Sequence, residues 1–226
     1  PRLQGRLNEG AALREFRWKK GGGKHMDISI RKLSPDLADA YVDFFDATPH
    51  GDCCSENTCY CITWRNDDSY SGNGDHWFPS RAERRKRAVD FVHNGSIQGY
   101  LAYQENRIIG WCNSSADCQL GISTLRSWGW PIPESRADMK IKSIFCFAIA
   151  PDFRKSGVAT QLVQYACRDA ARDGFDLVEA YPDKCFTTPS AAMRGPFAMY
   201  EKCGFSVLAE QGDKIVVQKI LRDKGH

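Results

Sequence analysis

The sequence predicts an α+β domain on a mixed sheet flanked by helices. Three observations carry this. Residues 141–150, Ile-Lys-Ser-Ile-Phe-Cys-Phe-Ala-Ile-Ala, form an almost unbroken apolar run, the pattern of a strand buried on both faces. An amphipathic helical pattern and a second apolar stretch, Leu177 to Tyr181, follow it, which is the layout of a parallel pair joined by a helix. Elsewhere, apolar segments are joined by short turns at Glu105-Asn106 and Gly212-Asp213, which read as hairpins.

The 226 residues allow one sizeable domain, and 42% hydrophobic with 26% charged residues is ordinary for a globular chain. Apolar runs fall short of the roughly 18 residues a membrane span needs, and the first apolar stretch is too short and too charged for a secretory leader. Residues 1–26 read as a leader foreign to the fold, with Gly21-Gly22-Gly23-Lys24-His25-Met26 resembling a linker left by cloning and Met26 a start. The expected single domain is therefore 27–226. The leader carries seven Lys/Arg against Glu9 and Glu15, a net +5, so the whole-chain +3 leaves the domain near −2. The positive charge belongs to the leader and does not argue for a nucleic-acid partner.

Ten cysteines is a high count. Cys112, Cys118, Cys146, Cys167, Cys185 and Cys203 sit in or beside predicted elements and read as small buried apolar residues of a reduced, cytoplasmic protein. Cys53, Cys54, Cys59 and Cys61 cluster. They lack paired C-x-x-C spacing, which leaves packing or surface thiols beside a zinc site assisted by His50 or His76.

In chain order, Ile28 to Leu33 alternates apolar and polar residues as a first strand. Ser34 then caps a helix with Pro35 at its first position and the stripe Leu37, Tyr41, Phe44 and Phe45. Residues 51–79 read mostly as loop, with a short strand at Tyr60 to Trp64. Ser80 caps a helix over Arg81 to His93, with Ala82, Ala88, Val89 and Val92 inward, ended by Asn94-Gly95. Its arginine face is open to two readings, a solvated surface or a patch that steers an acidic substrate. Strands at Ile97–Gln104 and Arg107–Ser115 form the first hairpin. Residues 116–140 are a long connection, in which Trp128 and Trp130 either form a lid or plug a groove. After the second parallel strand, Pro189 to Pro196 is irregular, Phe197 to Lys202 is a short helix with Gly204 just past its end, and Phe205–Glu210 and Lys214–Leu221 close the chain.

Pro151 ends the long apolar strand, because proline cannot donate to a sheet ladder. Arg154-Lys155-Ser156-Gly157-Val158-Ala159 follows as a basic turn, and Leu162, Val163, Ala166 and Ala170 recur at helical spacing. A strand, a tight basic turn and a helix start aim several backbone N–H groups at one point, which is an anion site. Together with Met199-Tyr200-Glu201-Lys202-Cys203-Gly204-Phe205, this stretch resembles, in order and spacing, the GCN5-related N-acetyltransferase (GNAT) family. The resemblance is specific from about Ile141 to Phe205. From Ile28 to Gln119 only the pattern of elements agrees.

The resemblance implies a mostly antiparallel sheet with a splayed parallel strand pair. It implies an enzyme that moves an acetyl group from acetyl-CoA, its co-substrate, directly to a primary amine on a small molecule, an antibiotic or a protein. No metal and no membrane are expected, and homodimers are a family-level expectation. By resemblance, Arg154, Lys155, Ser156, Gly157, Val158, Ala159 and Thr160 hold the pyrophosphate. The Phe147, Ala148, Ile149 stretch holds the pantetheine arm, and one of its N–H groups can serve the thioester oxygen. Tyr200 is the catalytic acid for the leaving thiolate. Three positions depart from the family pattern. Ala159 stands where many relatives have glycine. Ser143 stands where some carry a glutamate base, leaving Asp117, Glu134, Asp138, Glu179 or water. Met193 replaces an asparagine that contacts the cofactor arm. Those departures motivate an alternative, a non-catalytic acyl-CoA-binding or sensor module; the cysteine cluster motivates a third, a metal-sensing domain.

Overall fold

The computed structural model describes residues 27–48, 58–65, 80–116, 118–134, 138–185 and 189–222. Seven strands form one sheet in the order β1-β2-β3-β4-β5-β7-β6. They are β1 (Ile28–Lys32), β2 (Gly99–Gln104), β3 (Arg107–Ser115), β4 (Ile141–Ile149), β5 (Leu177–Ala180), β6 (Ser206–Gln211) and β7 (Lys214–Ile220). Among them only β4 and β5 run parallel. The expected α+β class and mixed, mostly antiparallel sheet are what the chain forms.

Helices cover both faces, and each face has its own core. On one side lie α1 (Ala38–Ala47), α2 (Arg81–His93) and α3 (Gln119–Ser127), closing over Tyr41, Phe45, Leu101, Trp111 and Phe145. On the other lie α4 (Val158–Arg172) and α6 (Phe197–Lys202), packed on Ile109, Ile144, Phe147, Val178 and Val217. The predicted stripe of α4, Leu162, Val163, Ala166 and Ala170, is fully buried. The Asp169 carboxylate on the same helix accepts from the Tyr100 hydroxyl at 2.6 Å and lies 3.6 Å from the buried Lys142 ammonium, which ties α4 to the sheet. Burial pushes the Lys142 pKa down.

Sequence expectation and structure differ at several places. Ser34 does not cap a backbone N–H. Its hydroxyl donates to Asp36 (2.6 Å), and a 3-10 turn over Pro35–Leu37 precedes α1. Tyr60 to Trp64 is no strand: Tyr60 and Cys61 take positive φ, and Ile62–Arg65 is a 3-10 turn. Ser80 caps α2, as the sequence suggests, and the structure adds Glu83 to make a full capping box. The basic face of α2 is partly solvated, with Lys86 exposed, but Arg81, Arg84 and Arg85 are engaged. Arg81 and Arg85 pair with Asp46 at 2.8 Å, Arg85 reaches Asp43 at 2.5 Å, and the buried Arg84 donates to the Thr58 carbonyl at 2.8 Å. Those arginines fasten α2 to α1 and to the 58–65 segment, and Ala82, expected inward, is exposed. Residues 119–127 and 189–194 are helical (α3, and α5 at Pro189–Arg194) where irregular chain was expected. Cys185 is exposed and Cys118 half-buried, against their reading as core residues. The readings on residues 1–26, Cys53, Cys54, His50 and His76 fall outside the described residues.

Candidate active site

The site begins where the parallel pair parts. β4 pairs with β5 only from Ile141↔Leu177 to Ile144↔Ala180. Beyond that, among the described residues, no strand pairs with Phe145–Ile149 on the β5 side, although β3 still pairs along the other side. The parting has a local cause. The β3 register jumps from Asn113↔Cys146 to Ser114↔Ile144, so Phe145 is the extra residue of a bulge. A bulge bends its strand and sharpens the twist, and it falls at the last paired position. Pro182, two residues past β5, prevents that strand from following.

The ladder decides which groups face the opening. The Ala150 N–H donates to the Ile109 carbonyl at 3.0 Å, so by alternation Ala148 also faces β3, while the main-chain groups of Phe147 and Ile149 face the open side. The Ile149 carbonyl already accepts from Arg154 Nε at 3.2 Å. That leaves the Phe147 N–H and carbonyl and the Ile149 N–H along the edge. Ala148, named with them from the sequence, has its main chain turned to Trp111.

One 3-10 turn (Pro151–Phe153) connects β4 to a nest of donors at the start of α4. Lys155 (φ +61°) and Gly157 (φ +92°) are left-handed on either side of Ser156, an alternation that curls successive N–H groups toward one side. Gln161 is the first residue of α4 whose N–H finds a helical partner, the Gly157 carbonyl at 3.1 Å. The N–H groups of Lys155, Gly157, Val158, Ala159 and Thr160 therefore have no partner among the described residues. A Cβ built on Gly157 meets nothing within 4 Å, so space above the turn is open. Unpaired donors, a helix N-terminus and open space fit a diphosphate. Ser156 contributes least of the predicted set, since both its N–H (3.4 Å) and its hydroxyl (2.5 Å) turn back to the Phe153 carbonyl. The nearby carboxylate of Asp152 is bound by Arg107 at 2.7 and 3.1 Å, which offsets its charge beside an anion site.

Tyr200 lies in α6, within the same core cluster as Phe147 and Val158. Gly195 (φ +78°) opens the turn from α5 to α6. A Cβ there would lie 3.4 Å from the Phe147 ring and 2.7 Å from Met199, so this turn abuts the open edge. The Tyr200 hydroxyl donates to the Arg194 carbonyl at 2.8 Å and is only 1% exposed. Burial pushes its pKa well up, so the phenol keeps its proton at neutral pH, as an acid must.

On the opposite face, Tyr181 donates to Glu179 at 2.8 Å and accepts from the Ser143 hydroxyl at 2.9 Å. This fully buried row fills the position where some relatives carry a glutamate. Glu179 on β5 and Tyr181 one residue past its end are two apart in extended chain, and the sequence signal for the row was that shared face. Of the other proposed bases, Glu134 and Asp138 are exposed and Asp117 lies outside the described residues. Met193 is half-buried and packs toward the α1–α3 core. Trp128 stands edge-on to Trp64 at 5.7 Å, and Trp64 stacks on Phe145 at 5.1 Å, so the tryptophans pack down into the protein. The Cys61 and Cys146 thiols approach to 2.8 Å, with the Trp111 indole N–H donating to Cys61 at 3.3 Å. Among the described residues no group of three or more potential ligands could hold a metal ion.

Known proteins resemble this chain in family profile and in fold. The profile of the Acetyltransferase (GNAT) family matches residues 58–205. No curated protein matches the chain. Among solved structures, yncA from Salmonella typhimurium, solved with its cofactor acetyl-CoA, is 11% identical, with 88% of this chain and 96% of that chain covered and a TM-score of 0.50. An N-acetyltransferase from Staphylococcus aureus Mu50 is 11% identical over 86% and 99% of the two chains, with a TM-score of 0.49. An acetyltransferase of the GNAT family from Streptococcus pneumoniae is 16% identical over 85% and 98%, with a TM-score of 0.48. At such identities the likeness concerns the fold.

Proposed function

The chain belongs to the GNAT acetyltransferase family, and from that premise we propose that it transfers an acetyl group from acetyl-CoA directly to a primary amine. We take residues 27–226 as one acyltransferase domain. The observation that carries the reading is the conjunction of a split parallel pair with a donor-lined nest directly beyond it. Acetyl-CoA would supply the activated acyl group, its diphosphate on the N–H groups of residues 155 and 157–160 with the Arg154 and Lys155 charges beside it. The Phe147 and Ile149 main chain would hold the arm as an added strand does, through ladder bonds. One of those N–H groups would stabilise the thioester oxygen as negative charge develops on it.

Tyr200 serves as the acid. Its single proton is given to the Arg194 carbonyl in the resting protein, so donation to sulfur requires the hydroxyl to rotate away from that carbonyl. β4 carries no carboxylate, and the acceptor is read as entering as the free amine. Turnover should then rise with pH toward the acceptor's own pKa.

The second reading, an acyl-CoA-binding module without turnover, draws on the complete burial and engaged hydroxyl of Tyr200. Thiol release from acetyl-CoA against a panel of amines, run beside calorimetric acetyl-CoA binding, separates the two. Binding with turnover supports the enzyme; binding with no turnover on any amine would favour the module. Absence of binding would remove both.

A further inference from the structure

Beside the split lies a cluster of side chains that cofactor binding does not use. Asp183 follows β5 and bridges to Lys214 at the start of β7. Arg194 ends α5, which packs on β4, and its guanidinium grips Asp183 Oδ2 with Nη2 at 2.5 Å and Nε at 3.0 Å. Both cations lie on one indole: Arg194 is 4.6 Å and the Lys214 ammonium 4.9 Å from the centre of the Trp130 ring. The Lys214 ammonium is further directed to the Trp128 carbonyl. These groups come from four separate elements and meet at the carboxyl end of β5, where the parallel pair opens.

The cluster is incomplete. Trp130 is only 5% exposed, and its buried indole N–H has no hydrogen-bond partner among the described residues. A buried donor without an acceptor is rare and costly in a folded protein. Two positive groups and one negative leave the cluster at +1, and the neighbouring Lys184–Glu210 pair (3.0 Å) adds nothing to that. A monoanion with two acceptor oxygens would satisfy both the indole donor and the charge. A dianion such as a phosphate ester would overshoot it. Both cations lie within about 5 Å of the centre of the ring that carries this unpartnered donor.

We propose that this cluster binds the carboxylate of the acceptor, and that the acceptor is a small amine that also carries a carboxylate, such as a free amino acid. The inference rests on the acetyltransferase reading, because it places the acceptor at the mouth of the same split. The carboxylate sits on Trp130 Nε1, Lys214 and Arg194 Nη1, which has no hydrogen-bond partner among the described residues. Since the Arg194 carbonyl also holds the Tyr200 hydroxyl, an acceptor bound here lies one residue's span from the proposed acid.

The test compares amino acids with their decarboxylated counterparts as acceptors: L-lysine with cadaverine, L-phenylalanine with phenethylamine, L-leucine with isoamylamine, and β-alanine with ethylamine. At least one amino acid should exceed its partner amine by about ten-fold or more in kcat/KM, the scale of a charge-assisted hydrogen bond. Trp130→Phe, which keeps the ring and removes the donor, should raise KM for that amino acid about ten-fold, and Lys214→Met should do the same, with acetyl-CoA affinity at the wild-type value in both. No preference for the carboxylate in any pair, or unchanged KM in whichever variant folds, overturns the inference while leaving the cofactor site standing. Failure of the wild-type protein to bind acetyl-CoA would instead remove the reading beneath it.

Discussion

Replacing Gly157 with aspartate tests the nest directly. Gly157 sits at φ +92°, and a Cβ added there has nothing within 4 Å, so the new Cβ clashes with no protein atom. Its cost to folding is the left-handed backbone alone, about 1–2 kcal/mol, a modest part of the roughly 5–15 kcal/mol that holds a domain folded. Its cost to binding is larger. A carboxylate about 5 Å from one phosphate charge, at an effective dielectric between about 20 and 80, repels it by about 1–3 kcal/mol. Displacing the turn also weakens at least one charge-assisted N–H bond, worth about 1.5 kcal/mol or more. Together these approach about 3 kcal/mol, near a hundred-fold in Kd. The control is Gly212→Asp in the β6–β7 turn, where φ is +58° and a Cβ is equally unobstructed. Both variants place a non-glycine residue at positive φ and add the same charge, and only the first stands at the nest. Calorimetry with acetyl-CoA and thermal melts should show similar small losses of stability and a loss of affinity confined to Gly157→Asp. Equal affinity in the two variants would refute the placement of the diphosphate.

Tyr200→Phe should lower turnover about ten-fold to a thousand-fold with acetyl-CoA affinity nearly unchanged; a wild-type rate would end the acid assignment. The same change strands the buried Arg194 carbonyl and should cost about 1–3 kcal/mol in denaturant melts. Arg84→Ala removes a buried guanidinium donating to the Thr58 carbonyl, so stability should fall by about 1–3 kcal/mol, a drop of about 2–12 °C in Tm for a chain of this size; a Tm within a degree of wild type would show that the contact fastens nothing. For pH, burial would raise both Asp46 and Asp169, but hydroxyl and guanidinium partners outweigh it (Tyr60, Arg85 and Arg81 for Asp46; Tyr100 and Arg172 for Asp169) and hold both carboxyls below their ordinary range. A depressed folded-state pKa contributes stability above the unfolded-state value near 4 and loses it as pH falls through the folded value. Tm should therefore hold from about pH 7 to 5 and drop below about pH 4, and a Tm that stays level to pH 3 would contradict these pairings.

What the residues alone determine is whatever is local in cause. The apolar run of β4, the stop at Pro151, the cap at Ser80, the stripe of α4 and the basic turn around Gly157 each follow from a few neighbouring residues, because period, side-chain capping and missing donors act within one or two turns. What only the folded chain decides is whatever requires a partner distant in sequence. Nothing near Arg84 or Arg85 foretells that Thr58 and Asp46 will take up their charge. Nothing in Tyr60-Cys61-Ile62 forbids a strand, yet packing against α1 and β4 forces positive φ there. The bulge at Phe145 exists only against β3, and with it the opening between β4 and β5. The meeting of Trp130, Asp183, Arg194 and Lys214 is likewise a product of topology, since the sheet order sets β7 beside β5 and brings four remote segments to one edge.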